Sequence, residues 1–139
     1  MRFLIMVKAD AAYEAGAMPR EGLSAAMADY HQALARAGVL LDAAGLQPSA
    51  AGWRIHYADG RCVVTDGPFA GSPAGLVAGY ALIQVRTREE ALEWSRRFPA
   101  PRAAAASPAH IEVRPLSERD DFVAAASTDR PCGLTGRPA

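Results

Sequence analysis

Thr65-Asp66-Gly67-Pro68-Phe69-Ala70 leads through Gly71-Ser72-Pro73-Ala74-Gly75 into Leu76-Val77-Ala78-Gly79-Tyr80-Ala81-Leu82-Ile83-Gln84-Val85. A loop dense in glycine and proline thus opens onto a long apolar run, and residues 76 to 86 read as the longest strand, apolar on both sides and in need of cover on each face. Upstream, Asp59-Gly60 is a two-residue hairpin signal between the runs Trp53 to Ala58 and Arg61 to Asp66. It predicts a register: Ala58 opposite Arg61, Tyr57 opposite Cys62, Ile55 opposite Val64 and Trp53 opposite Asp66. One hairpin face then carries Trp53, Ile55, Tyr57, Cys62 and Val64, and the other carries Arg54, His56, Val63 and Thr65; a slip of one residue would exchange them.

Working outward, residues 2 to 8 form a first strand with the two-sided apolar pattern of a central position. After a loop containing Gly16 and Pro19, Leu23, Met27, Tyr30, Leu34 and Ala37 recur at three- and four-residue spacing, an amphipathic helix capped by Gly38. Val39 to Leu41 begin a second strand that loses its pattern through Asp42 to Pro48. Beyond the long strand, Thr87-Arg88-Glu89-Glu90 is a capping box opening a helix whose buried side is Ala91, Trp94, Ser95 and Phe98. His110 to Arg114 make a last strand with Ile111 and Val113 pointing inward.

The order strand, helix, strand, hairpin, strand, helix, strand predicts a ferredoxin-like α+β fold, a split βαβ layout with an inserted β-hairpin. Both helices should cover one sheet face, which leaves the other apolar face for a second copy; a homodimer is expected. Residues 1–116 read as one domain and 117–139 as a mobile tail.

Composition narrows the function classes. The 139 residues are half hydrophobic, with 15 basic and 15 acidic side chains, so no net field steers the chain to nucleic acid. No run reaches the roughly 20 apolar residues of a membrane span, and no signal-peptide pattern opens the chain; a cytoplasmic location without membrane association is expected. The two cysteines and three histidines are scattered, so no metal, cofactor or disulfide is expected. Phosphate-binding glycine loops, nucleophile elbows and the zinc-protease helix motif are all missing from the sequence.

What remains is a small set of candidates. His31, at the border of the helix stripe, is suited to acid/base work, with Asp66 as the second catalytic candidate. Asp66 also has a structural reading, in which its carboxylate accepts the amides of the turn that follows. Tyr30, Asp42 and Tyr80 are the candidate ligand-binding residues, Tyr80 following a glycine that permits close approach of another backbone or a ligand. Arg114 beside Glu112 reads as a solvated ion-pair partner.

From Arg2 to Pro115 the chain resembles the DGPF group of YCII-related proteins, small bacterial domains. The likeness rests on Tyr30, Ala37-Gly38-Val39-Leu40, Gly45-Leu46, Thr65 to Ala70, Ala78-Gly79-Tyr80, Leu82 to Val85, Arg88 to Ala91 and Glu112 to Leu116. The resemblance implies a dimeric α+β barrel and a His/Asp pair in a cleft between sheet and helix, although, counting back from Ala37-Gly38, the YCII helix histidine would fall near Met27, one turn before His31. Relatives continue the motif with Glu-Thr-Lys-Glu where this chain has Gly71-Ser72-Pro73-Ala74. Three functions are therefore carried forward. The first is a dimer with a small-molecule cleft and acid/base chemistry. The second is a non-catalytic binding or regulatory protein associated with an extracytoplasmic-function sigma factor. The third is a cofactor-free oxygenase or isomerase of the dimeric α+β barrel type.

Overall fold

The computed structural model describes residues 1–17, 22–99, 109–119 and 121. Strand β1 (Arg2–Lys8) is followed by a short helix α1 (Ala11–Glu14), helix α2 (Leu23–Arg36) and strand β2 (Leu40–Gly45). The hairpin β3 (Trp53–Ala58) and β4 (Arg61–Asp66) precedes strand β5 (Val77–Gln84), helix α3 (Arg88–Arg96) and strand β6 (Ile111–Pro115). Four strands form one antiparallel sheet in the order β2-β5-β1-β6, the ferredoxin-like arrangement, and β3-β4 forms a separate two-stranded sheet.

Alternation along the strands builds the core on one side of the sheet. Phe3 faces Ile83 and Ile5 faces Ala81 across the β1-β5 ladder, and all four are buried. Tyr30 and Leu34 from α2 and Ala91 from α3 close over them, with Leu40, Ala43, Trp94, Phe98 and Val113 packed at the margin. Both helices therefore lie on the same face. Leu4, Met6, Tyr80 and Leu82 alternate to the opposite face, where no helix lies among the described residues.

The local signals account for the element ends. Thr87 Oγ1 accepts from the Glu90 N–H at 3.1 Å, while the Glu90 carboxylate reaches back to the Arg86 N–H at 2.9 Å, one residue before the amide a capping box would serve. Gly38 closes α2 with φ of 71°. The hairpin pairs in the predicted register, with Asp59 and Gly60 both at positive φ.

Three expectations are corrected. The stretch after β1 is not all loop: Asp10 Oδ1 accepts from the Tyr13 N–H and starts α1. Strand β2 does not fade after Leu41 but runs to Gly45, because a bulge between Leu40 and Asp42 breaks the period of two without ending the ladder. Ile111 shares the face of Val113 but sits at the open end of the sheet and is 37% exposed. The tail expectation falls mainly on residues outside those described; within them, Glu118 forms a two-pronged bond to the Arg2 guanidinium at 3.1 and 3.2 Å.

The Asp66-Gly67-Pro68-Phe69 run is the root of the hairpin, and the acceptor at that turn is Ser49 rather than Asp66. The buried Ser49 hydroxyl accepts from the Phe69 N–H at 3.0 Å and donates to the Glu14 carboxylate, which also receives the Ser49 N–H. The Gly67 N–H donates to Gly52 O at 2.9 Å, and Pro68 has no N–H to satisfy. A Cβ on Gly67 would stand 1.8 Å from Ser49 O, so the turn closes only around glycine. Asp66 is exposed, and no described hydrogen bond ends on its carboxylate.

These contacts set an order of sensitivity in thermal or urea melts. Gly67→Ala should destabilise by about 3 kcal/mol through backbone overlap, and Ser49→Ala by about 1–3 kcal/mol, leaving the Phe69 amide and the Glu14 carboxylate short of a partner. Asp66→Ala should stay within about 0.5 kcal/mol of wild type.

Candidate functional site

Helix α2 divides its apolar stripe between two tasks. Its C-terminal half, Tyr30 and Leu34, fills the core, whereas Leu23, Met27 and His31, spaced at one turn each, stand over a cavity of about 470 Å³. Val7 and Ala78-Gly79 from the ends of β1 and β5 also line it, as do Phe98 and Pro99 after α3 and Tyr13 of α1. The lining is mainly carbon, and the polar residues on it are few: Lys8, Asp10, Tyr13 and His31, with Tyr80 bordering it from β5 while its hydroxyl is held by Asp42 on the helix-free face.

Each wall is fixed by a traceable contact. Gly79 lets β2 approach β5 closely, since a Cβ there would lie 3.0 Å from Ala44 O. The Tyr13 hydroxyl donates to Ala78 O at 2.9 Å, pinning α1 to the strand. Burial and the neighbouring Glu14 carboxylate raise the Tyr13 pKa above its ordinary value, so the donor keeps its proton. The Lys8 ammonium is 3.1 Å from the Glu112 carboxylate.

The residues singled out from the sequence are spread over four places. His31 lines the cavity, and Tyr80 borders it from β5 with its hydroxyl turned to the helix-free face. Tyr30 is buried beneath it, its hydroxyl donating to Trp94 O at 3.0 Å and its ring edge-on to Phe98; burial, partly opposed by Arg97, pushes its pKa up to about 12. That bond ties α2 to α3 and leaves the Tyr30 hydroxyl no free proton to offer. Asp42 lies on the helix-free face, where its Oδ2 accepts from the Tyr80 hydroxyl at 2.8 Å. Asp66 sits on the hairpin opposite Trp53. Arg114 is an exposed residue 4.0 Å from Glu112, the solvated pair expected of it.

His31 and Asp66 are thus on different elements, one at the cavity and one on the separate hairpin sheet. Among the described residues no hydrogen bond joins the His31 imidazole to a carboxylate; its ring lies 6.0 Å from that of Tyr30, centroid to centroid. The carboxylate that shares the cavity with it is Asp10, which accepts from the Tyr13 N–H at 2.7 Å. Asp10 and Tyr13 were not singled out from the sequence. The signal for them was Asp10 followed by two alanines and an aromatic, an N-cap pattern hidden because the helix it starts is only four residues long.

The model of the YCII-related domain family matches residues 1–125. No curated protein matches the chain.

The Tyr80–Asp42 pair makes a prediction of its own. The hydrogen bond to Asp42, and then its negative charge, raise the Tyr80 pKa above the ordinary phenol value. Asp42→Asn removes that charge, so the Tyr80 ring should titrate at lower pH than in wild type. Titration of ring-labelled tyrosine by NMR reads this directly; an unchanged Tyr80 midpoint would contradict the pairing.

Proposed function

The chain belongs to the YCII-related domain family, and from that footing we propose that it is a DGPF-type member acting as a homodimer that takes a small, largely apolar molecule into the cavity beside α2. The observation that carries this reading is the cavity itself: about 470 Å³, lined mostly by carbon, with His31 on its wall. A volume of that order suits a molecule of the size of an aromatic or branched metabolite bearing one or two polar groups. The apolar wall excludes water and rewards burial, while the imidazole orients the polar end and exchanges a proton with it.

The His/Asp pair implied by the family resemblance is modified in this reading. By the resemblance the family histidine would fall near Met27, and His31 brings an imidazole to the same cavity one turn later. The neighbouring carboxylate is Asp10, while Asp66 belongs to the hairpin root. Acid/base chemistry then runs through His31 and needs no metal ligand set. A binding role without turnover is the second reading, favoured by the lack of a described carboxylate bond to orient the imidazole.

Dimerisation belongs to the proposal because the helix-free face presents Leu4, Met6 and Leu82 as a half-buried apolar strip. A second copy covering that strip would build the dimeric α+β barrel. Sedimentation should give about twice the chain mass, and a monomer at every concentration reached would contradict the dimer.

The cavity reading is tested by native mass spectrometry on the purified protein and its Met27→Trp variant. Wild type should retain or take up a small molecule that the variant, its cavity filled by the indole, does not; equal uptake by both would contradict the assignment. With that molecule in hand, His31→Ala separates the two roles. Loss of about 10² to 10⁴-fold in turnover, with affinity changed only a few-fold, marks a general acid/base. Loss of affinity alone marks a binding protein.

A further inference from the structure

We propose that the apolar face of the β3-β4 hairpin is an arm that docks on the helix-free sheet face of a second copy of this chain. This rests on the homodimer proposed above and names the element that completes it. Every residue of the two strands is exposed, and the hairpin is a sheet of its own, paired with no other strand among the described residues. A lone two-stranded sheet is marginal in water, so its stability calls for a covering surface.

The register sorts the hairpin into two unlike faces. Trp53, Ile55, Tyr57, Cys62 and Val64 share one, with Asp66 at its root, while Arg54, His56, Arg61, Val63 and Thr65 fall on the other. The Arg54 guanidinium lies 4.1 Å over the Phe69 ring, which ties the basic side back to the hairpin's own root. The apolar side has no such match. Trp53 and Tyr57 are 64% and 75% exposed; at roughly 150–250 Å² for each buried aromatic side chain, the two leave roughly 200–350 Å² in water. Ile55 and Val64, 46% and 60% exposed, extend the patch to the size of the largest apolar patches on ordinary monomers, roughly 300–600 Å².

A second copy is the occupant because the same chain carries the matching surface. Leu4, Met6, Leu82 and Tyr80 form an apolar strip on the helix-free face, rimmed by the Asp42 and Glu112 carboxylates. Arg61 and His56 fall on the other face of the hairpin, so the contact rests on the apolar match between the two patches. Neither patch alone reaches the roughly 800 Å² per partner of a standard stable interface, and the two together approach it. In a two-fold pair each chain offers both patches and each patch is used twice.

Trp53 is its own probe. The chain has two tryptophans, so Trp94→Phe, a change that keeps an aromatic ring beside the core, leaves Trp53 as the only indole. Its fluorescence is followed across a dilution series while sedimentation reports the dimer fraction. Trp53 should emit at shorter wavelength and resist acrylamide in the dimer, then become several-fold more quenchable in the monomer. A dimer with fully solvated Trp53 emission overturns the arm, and so does a monomer whose Trp53 is already shielded by its own chain.

Two variants fix the partner surface. Ile55→Ser combined with Tyr57→Ser should raise the dimer dissociation constant at least tenfold without moving the monomer's melting. An unchanged constant overturns the arm and leaves the sheet-face dimer standing, whereas wild-type protein that never dimerises overturns both. Leu82→Asp, on the sheet face, should expose Trp53; a Leu82→Asp dimer that still shields it overturns the sheet face as docking site.

Discussion

One-sided burial governs this molecule. Four strands alternate their side chains to both faces, but α2 and α3 cover only the face of Phe3, Ile5, Ala81 and Ile83. Burying one such side chain contributes about 1.5–3 kcal/mol, so the covered face holds the monomer together. The same alternation places Leu4, Met6 and Leu82 on the other side with no described element above them. The cavity follows from the same geometry. Leu34 and Tyr30 seat the C-terminal half of α2 on the sheet, while the N-terminal half stands above the ends of β1 and β5, where Ala78 and Gly79 offer too little volume to fill the gap.

The Asp-Gly-Pro-Phe run takes on a structural meaning here. Gly67 passes so close to the Ser49 carbonyl that no side chain fits, and the Phe69 amide closes on the Ser49 hydroxyl. Ser49 in turn hands its own donors to Glu14, one residue from Tyr13 at the cavity wall. The motif thus fastens the hairpin to the segment that lines the cavity, while its aspartate is exposed and no described hydrogen bond ends on its carboxylate. A conspicuous carboxylate in a sequence motif need not be the group that does chemistry; here the polar work of the turn falls to a serine on another segment.

Legibility from the sequence followed the strength of the local period. The hairpin register, the two longer helices and the one-sided helix layer were readable because Asp59-Gly60, Gly38 and the Thr87 cap impose local geometry that tertiary packing did not override. The bulge at Leu41 and the one-turn helix at Ala11 were not, since each interrupts its period within a few residues. For the site, His31 was found by residue type and lies at the cavity, whereas Tyr80 borders the cavity with its hydroxyl on the opposite face. Tyr30 reads as a neighbour of His31 in sequence, but a residue one step along a helix turns about 100° away, and it points into the core. Lys8, Asp10 and Tyr13 reach the cavity only through tertiary placement, which no spacing encodes.

The central claim is that the uncovered sheet face is completed by a second copy, and Met6 reports on it from the middle of that face. Hydroxyl-radical footprinting, with peptides read by mass spectrometry, compares Met6 oxidation at high protein concentration and at high dilution. The account predicts that Met6 is protected when concentrated and several-fold more reactive when dilute, while Ile5 on the covered face stays protected throughout. Equal and high Met6 reactivity at both concentrations would contradict it.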